Sequence, residues 1–314
     1  MTFAFIGAGA IGGYFGALLS RSGQDVSVLA RGAHLEAIRR HGMRILSSAV
    51  GDFTARVTAE DDPVRIGRVD VVVLAVKTYD NPAAIPLILP LLGPNTTVLT
   101  LQNGVDSAGE VAAVAGERAT IAGAAYIAAG IDAPGVIRQN GTHRRIVFGE
   151  AFHPGPEPSA RVRAIAGVMT AADIHAEAVA DANPALWEKF VYLAPFASFT
   201  GAARLPIGPI WVDVDSRKAF LQAVGEVEAV ARASGVSIPA DIRQRIETYT
   251  AGIPSSTRSS LLIDLSQGKR IEVESLPGSV VRRGRAVGVP TPMMAALYAV
   301  LKPHGAGTPA VPAR

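Results

Sequence analysis

"FAFIGAGAIGGYFG", residues 3–16, sets five glycines where an apolar run meets a helical pattern. Glycine inside a strand or helix costs backbone entropy and offers no side chain to pack. So many at one junction mark a place where something approaches the main chain closely. Gly7, Gly9 and Gly12 form G-x-G-x-x-G. In that motif the first glycine permits a tight turn, the second lets a pyrophosphate reach the backbone, and the third packs helix against strand. Amides at the helix N-terminus then face the anion. The motif alone is weak evidence, but here it occupies the first strand–helix junction of an alternating chain, the context a dinucleotide site requires.

Outward from that turn, residues 2–6 read as the first strand and 11–20 as its helix. Residues 26–30, 69–76 and 97–101 read as further strands, apolar enough to be covered on both faces. Residues 83–92 and 107–115 carry helical spacing between them. Residues 120–150 read as strands turning at "DAPG", and 153–169 as a loop entering a helix. After residue 180 only helical patterns remain, opening at Asn183-Pro184, a plausible N-cap with proline behind it. The expected fold is α/β. A Rossmann-type parallel sheet domain covers residues 1–180, an all-helical domain 181–304, and a flexible tail 305–314.

Composition narrows the partners. Net charge is +3 and aromatics are 6% of residues, too little for the basic, aromatic-interleaved stripe that nucleic acid demands. The run Arg282, Arg283, Arg285 therefore reads as solvated surface. With no cysteine, disulfides, cysteine-type zinc and a thiol nucleophile are excluded, in keeping with a cytoplasmic setting. The apolar N-terminus lacks the basic flank of a signal peptide, and no other stretch has the length of a membrane span. The six histidines show no ligand spacing, so no metal is expected.

The second strand ends at Arg31. An acidic residue in that slot would accept from a ribose 2′-hydroxyl, whereas an arginine pairs with a 2′-phosphate, so NADP(H) is the expected cofactor. Lysines are scarce, five against 25 arginines. Lys77 closes the strand "VDVVVLAVK", and Asn103 follows the strand "TTVLTLQ". Both fall at the carboxyl edge of a parallel sheet, where ligands bind. Lys189 lies in "LWEKFVY" between Trp187 and Phe190. There it is either a desolvated proton donor or a lysine snorkelling to the surface. Ser260, Asp264, Glu272 and Glu274 cluster around "SSLLIDLSQGKRIEVE" and read by themselves as caps and solvated charges.

Taken together, the turn, Arg31, Lys77, Asn103, Lys189 and Glu272 resemble the ketopantoate reductase family over about residues 2–302. The resemblance implies a Rossmann domain, a helical domain, and a cleft between them where NADPH reduces a 2-keto acid, a step of pantothenate biosynthesis. It assigns cofactor binding to Gly7, Ala8, Gly9, Ala10, Ile11, Gly12, Arg31, Lys77, Asn103 and Ala129. Lys189 becomes the general acid, Ser260 a substrate ligand, and Glu272 the anchor of the substrate's hydroxyl, with Asn103 also at the substrate. Members are monomers or homodimers. The family places asparagines four and eight residues after the lysine, and this chain has Leu193 and Ala197, which implies a less polar 2-keto acid.

A competing class is a non-catalytic NADP(H)-binding redox sensor, in which the pocket of Lys189 is merely core. Turnover of NADPH with 2-keto acids separates the two.

Overall fold

The computed structural model describes residues 1–309. β1 (Thr2–Ile6) reads TFAFI, and its alternation sets the layering of the first unit. Successive side chains of a strand point to opposite faces. Phe3 and Phe5 enter one core with Tyr14 and Leu18 of the helix Ala10–Arg21, while Ala4 and Ile6 enter a second with Ile85, Ile88 and Val111. Val71 and Val73 repeat the first choice, Val72 and Leu74 the second. A sheet buried on both faces is what a continuous β-branched run such as VVVL requires.

The other strands are β2 (Asp25–Leu29), β3 (Met43–Ser47), β4 (Phe53–Ala55), β5 (Thr58–Glu60), β6 (Val71–Leu74), β7 (Thr97–Thr100), β8 (Thr120–Ala133), β9 (Val136–Glu150) and β10 (His175–Asp181). Across the sheet, β5-β2-β1-β6-β7-β8 run parallel. β8 then folds back on β9 as an antiparallel hairpin, β9 pairs β3 and β10 in parallel, and β3 pairs β4 antiparallel. The chain leaves β1 toward β2 on one side and returns as β6 on the other. That reversal is the switch point at whose carboxyl edge open α/β sheets bind ligands.

The segments 43–60 and 175–181, where no strands were expected, supply β3, β4, β5 and β10. These are short or edge pieces whose polar alternation gives no sustained apolar run. The helix expected over 83–92 is instead a short α-turn, Asn81–Ala84, followed by the 3-10 stretch Ile85–Leu91. Pro86 and Pro90 each lack the N–H that an α-helix would use. Asn183 is itself helical, and Asp181 Oδ1 accepts its N–H at 2.9 Å.

The chain divides into two units, residues 1–102 with 107–185, and 103–106 with 186 onward. The second unit is helical. Its core draws on the helices Asn183–Ala203, Val214–Ala233, Ile242–Gly252, Ser260–Ser266, Ser279–Ala286 and Pro292–Leu301. Four residues from mid-chain join it because Val105 packs into that core. The start of the expected tail is tied down. Gly307 N–H reaches His304 O at 3.0 Å and Thr308 N–H reaches Gly268 O at 3.3 Å, so the glycines build a turn there rather than a frayed end. Residues 310–314 of that tail lie outside the described residues.

Candidate active site

The glycines of the opening turn do three different things. Gly7 has φ +104°, in the left-handed region, and a Cβ on it would lie 2.8 Å from Val76 Cγ1. A Cβ on Gly12 would lie 2.1 Å from Gly7 O. Both are required by the protein's own packing. Gly9 differs: a Cβ there would meet nothing within 4 Å. Its φ of −73° is open to any residue, so neither strain nor packing explains a glycine at this position. Gly9 is also the N-cap of the helix Ala10–Arg21 and makes no side-chain cap, so the first-turn amides of that helix have no acceptor from a capping side chain. Open space beside such amides suits a pyrophosphate.

Arg31 follows β2 and caps the helix Gly32–His41. Its side chain is 86% exposed, with Nη2 3.5 Å from Asp80 Oδ2, which leaves the guanidinium accessible to a second anion. Lys77 follows β6 as the N-cap of the 3-10 turn Thr78–Asp80, at the same carboxyl edge. Gln102, which the sequence reading passed over, is 7% exposed and locks that edge. Its Nε2 donates to Val76 O at 2.9 Å and to Asn81 Oδ1 at 2.6 Å. Ala129 is partly buried on the half of β8 that pairs only with β9, opposite Gln139.

In the second unit Lys189 Nζ donates to Asn103 Oδ1 at 2.9 Å, so the ammonium is held inward rather than extended along the surface. Desolvation lowers its pKa to about 8, and the neighbouring Glu272 carboxylate works against that fall. Glu272 is 4% exposed. It stands two residues before the π-helical turn Glu274–Gly278, a rare geometry often found at functional sites. Gly104 has φ +97°, and a Cβ on it would come within 2.9 Å of Ser275 O. The position after Asn103 thus approaches this turn so closely that only glycine fits it.

Ser260 is exposed at the start of its helix, whereas Ser259 is buried, caps Leu262 N–H at 3.0 Å and bonds Thr200 Oγ1 at 2.7 Å. Leu193 is partly buried and Ala197 is 1% exposed, both in the helical core. Glu274 belongs to a surface network with Arg282, Tyr298 and Lys302.

Arg283 corrects the reading of its run as solvated surface. Its Nε donates to Asp106 Oδ1 at 2.8 Å, its Nη2 to Val105 O at 3.2 Å, and its guanidinium lies 5.6 Å from the Trp187 ring centroid. This clamp fixes the 103–106 loop. Asp106 is 177 residues away from Arg283 in the chain, and no local spacing in the sequence announces the contact. No group of three or more metal-ligating side chains occurs among the described residues, and no helix among them is long and apolar enough to cross a membrane.

A dinucleotide turn on a parallel sheet, together with a helical unit holding a lysine whose pKa is lowered to about 8, defines a dinucleotide-dependent oxidoreductase. The family model for ketopantoate reductase PanE/ApbA matches residues 3–152, and that for its C-terminal part matches 181–305. A 2-dehydropantoate 2-reductase of Mesorhizobium japonicum is 32% identical, covering 96% of this chain and 97% of that one. The crystal structure of a 2-dehydropantoate 2-reductase from Geobacter metallireducens superimposes with TM-score 0.89 at 31% identity, covering 96% and 99% of the two chains. A D-mandelate dehydrogenase solved with NADH and anilino(oxo)acetate shares the fold, with TM-score 0.88 at 19% identity over 97% and 98%. The chain belongs to the ketopantoate reductase family.

Proposed function

We propose that this protein reduces a 2-keto acid to the 2-hydroxy acid with NADPH, acting on 2-dehydropantoate or a close relative with a less polar side chain. One observation carries the reading. Lys189 is a half-buried ammonium bonded to Asn103, its pKa brought to about 8 by desolvation beside Glu272. Bound NADPH supplies the hydride. Lys189 holds a proton at Nζ and gives it to the carbonyl oxygen, so C=O becomes CH–OH and the amine left behind recovers its proton from solvent. A donor with a pKa near the working pH is suited to that transfer. Asn103 Oδ1 aims the ammonium, and the Glu272 carboxylate accepts from a substrate hydroxyl while supporting the charge on Lys189.

Gly9 leaves space for the pyrophosphate, and Arg31 offers a guanidinium to the 2′-phosphate, with Lys77 and Ala129 nearby in the cofactor's path. Ser260 is retained in this reading as a substrate ligand. Leu193 and Ala197 continue the helix face of Lys189 with apolar side chains. A hydroxylated substrate left without partners there loses roughly 1–3 kcal/mol for each buried group. This favours keto acids with hydrocarbon side chains. The setting proposed is a cytoplasmic monomer or homodimer.

The test is steady-state oxidation of NADPH, with NADH in parallel, against 2-dehydropantoate and a panel of branched 2-keto acids. Turnover with at least one of these acids, faster with NADPH, is expected. Cofactor binding without turnover would replace the reductase with a redox sensor.

A further inference from the structure

His34 lies on the helix Gly32–His41, one turn past Arg31, and touches two distant stretches of main chain. Gly135 N–H, at the β8–β9 turn, donates to His34 Nδ1 at 3.0 Å. A nitrogen that accepts carries no proton, so the neutral ring holds its hydrogen on Nε2. Nε2 lies 2.8 Å from Ala8 O and therefore donates to it. Both partners are themselves fixed. Gly135 O accepts from Arg44 N–H at 2.9 Å, and the Ala8 carbonyl faces inward, where a Cβ on Gly13 would come within 2.9 Å of it.

Ala8 stands between Gly7 and Gly9. The peptide joining Ala8 to Gly9 is planar and trans, so its C=O and N–H point in opposite directions. A bond that pulls the carbonyl inward turns the Gly9 N–H outward, on the turn where Gly9 leaves open space. We propose that His34 is a positioning residue for the nucleotide turn: by holding Ala8 O it presents the Gly9 amide to the cofactor's pyrophosphate. The same ring ties the Ala8 carbonyl to the helix Gly32–His41, whose N-cap is Arg31. The proposal rests on NADPH binding at this turn. No spacing rule brings His34 out of the sequence, because its partners are 26 and 101 residues away.

The test compares His34→Leu, which fills the volume without bonds, with His34→Gln, whose amide both donates and accepts. NADPH dissociation constants come from fluorescence titration, alongside kcat at saturating NADPH and thermal melting of each variant. The expected result for His34→Leu is a roughly tenfold weaker NADPH complex, with kcat within about twofold of wild type; for His34→Gln it is affinity restored to within about threefold. Should the leucine variant not fold, His34→Ala takes its place with the same threshold. Wild-type affinity in the leucine variant, or a glutamine variant as weak as leucine, overturns the positioning role. Failure of the wild-type protein to bind NADPH falls on the cofactor reading itself, and the positioning role goes with it.

Discussion

Lys189 Nζ donates to Asn103 Oδ1 at 2.9 Å, joining a core helix to a loop 86 residues earlier in the chain. The bond fixes the position of the ammonium beside that loop. Lys189→Ala removes the donor and leaves the glycine turn intact. We expect turnover to fall by about 10²–10⁴-fold, the range for loss of a general acid, while NADPH affinity stays within about twofold. Steady-state kinetics with a parallel cofactor titration checks this. A variant that keeps its turnover would remove Lys189 from the chemistry.

The same lysine sets the pH dependence. Its pKa is lowered to about 8, first by desolvation, and the Glu272 carboxylate opposes that shift. Keto acid reduction consumes the protonated form, which predominates below about pH 8 and is lost as pH rises through it. The rate kcat/KM for reduction should therefore fall on the alkaline side of about 8, and oxidation of the hydroxy acid should rise through the same region. Glu272→Gln withdraws the carboxylate that supports the ammonium, so its alkaline limb moves to lower pH. A limb unmoved in that variant would separate Glu272 from the titration of Lys189.

The sequence discloses the fold where apolar runs are long and local, as in TFAFI, VVVL and TVLT. It does not disclose β4 or β5, three residues each and too short to show a period. The site divides in the same way. Gly7, Gly9 and Gly12 are legible as a turn because one junction holds all three, whereas Lys189 between Trp187 and Phe190 reads equally as a surface lysine and is singled out by the family resemblance. Gln102, Arg283 and His34 are not legible, since each ties together segments 21 or more residues apart through main-chain, amide or carboxylate oxygens. Sequence spacing reports neighbours on one element and is silent about such contacts.

Arg31 tests the choice between the two nicotinamide cofactors. Its guanidinium is 86% exposed and loosely paired with Asp80, so its loss should cost the fold little. A charge-assisted contact to a phosphate is stronger than a neutral hydrogen bond. Arg31→Ala should therefore weaken NADPH by roughly 10–100-fold while NADH changes by less than about threefold. Matched titrations with the two cofactors measure the ratio. Equal losses would mean that the 2′-phosphate is held by another residue.

Gly9 and Gly12 are two residues of one motif with opposite demands. A methyl group on Gly12 collides with the backbone oxygen of Gly7 at 2.1 Å, and neither partner can move by a rotamer change. Gly12→Ala should lower stability by about 1–3 kcal/mol, the usual cost of overpacking, with or without ligand. A methyl group on Gly9 enters open space at φ −73°. Gly9→Ala should keep or slightly raise the melting temperature, because alanine also restricts the unfolded chain. Yet it fills the volume assigned to the pyrophosphate, so NADPH affinity should fall by about tenfold or more, the equivalent of about 1.4 kcal/mol. Thermal melts of both variants with and without NADPH decide the matter. If Gly9→Ala is stabilised by NADPH as strongly as wild type, the dinucleotide does not lie over this turn.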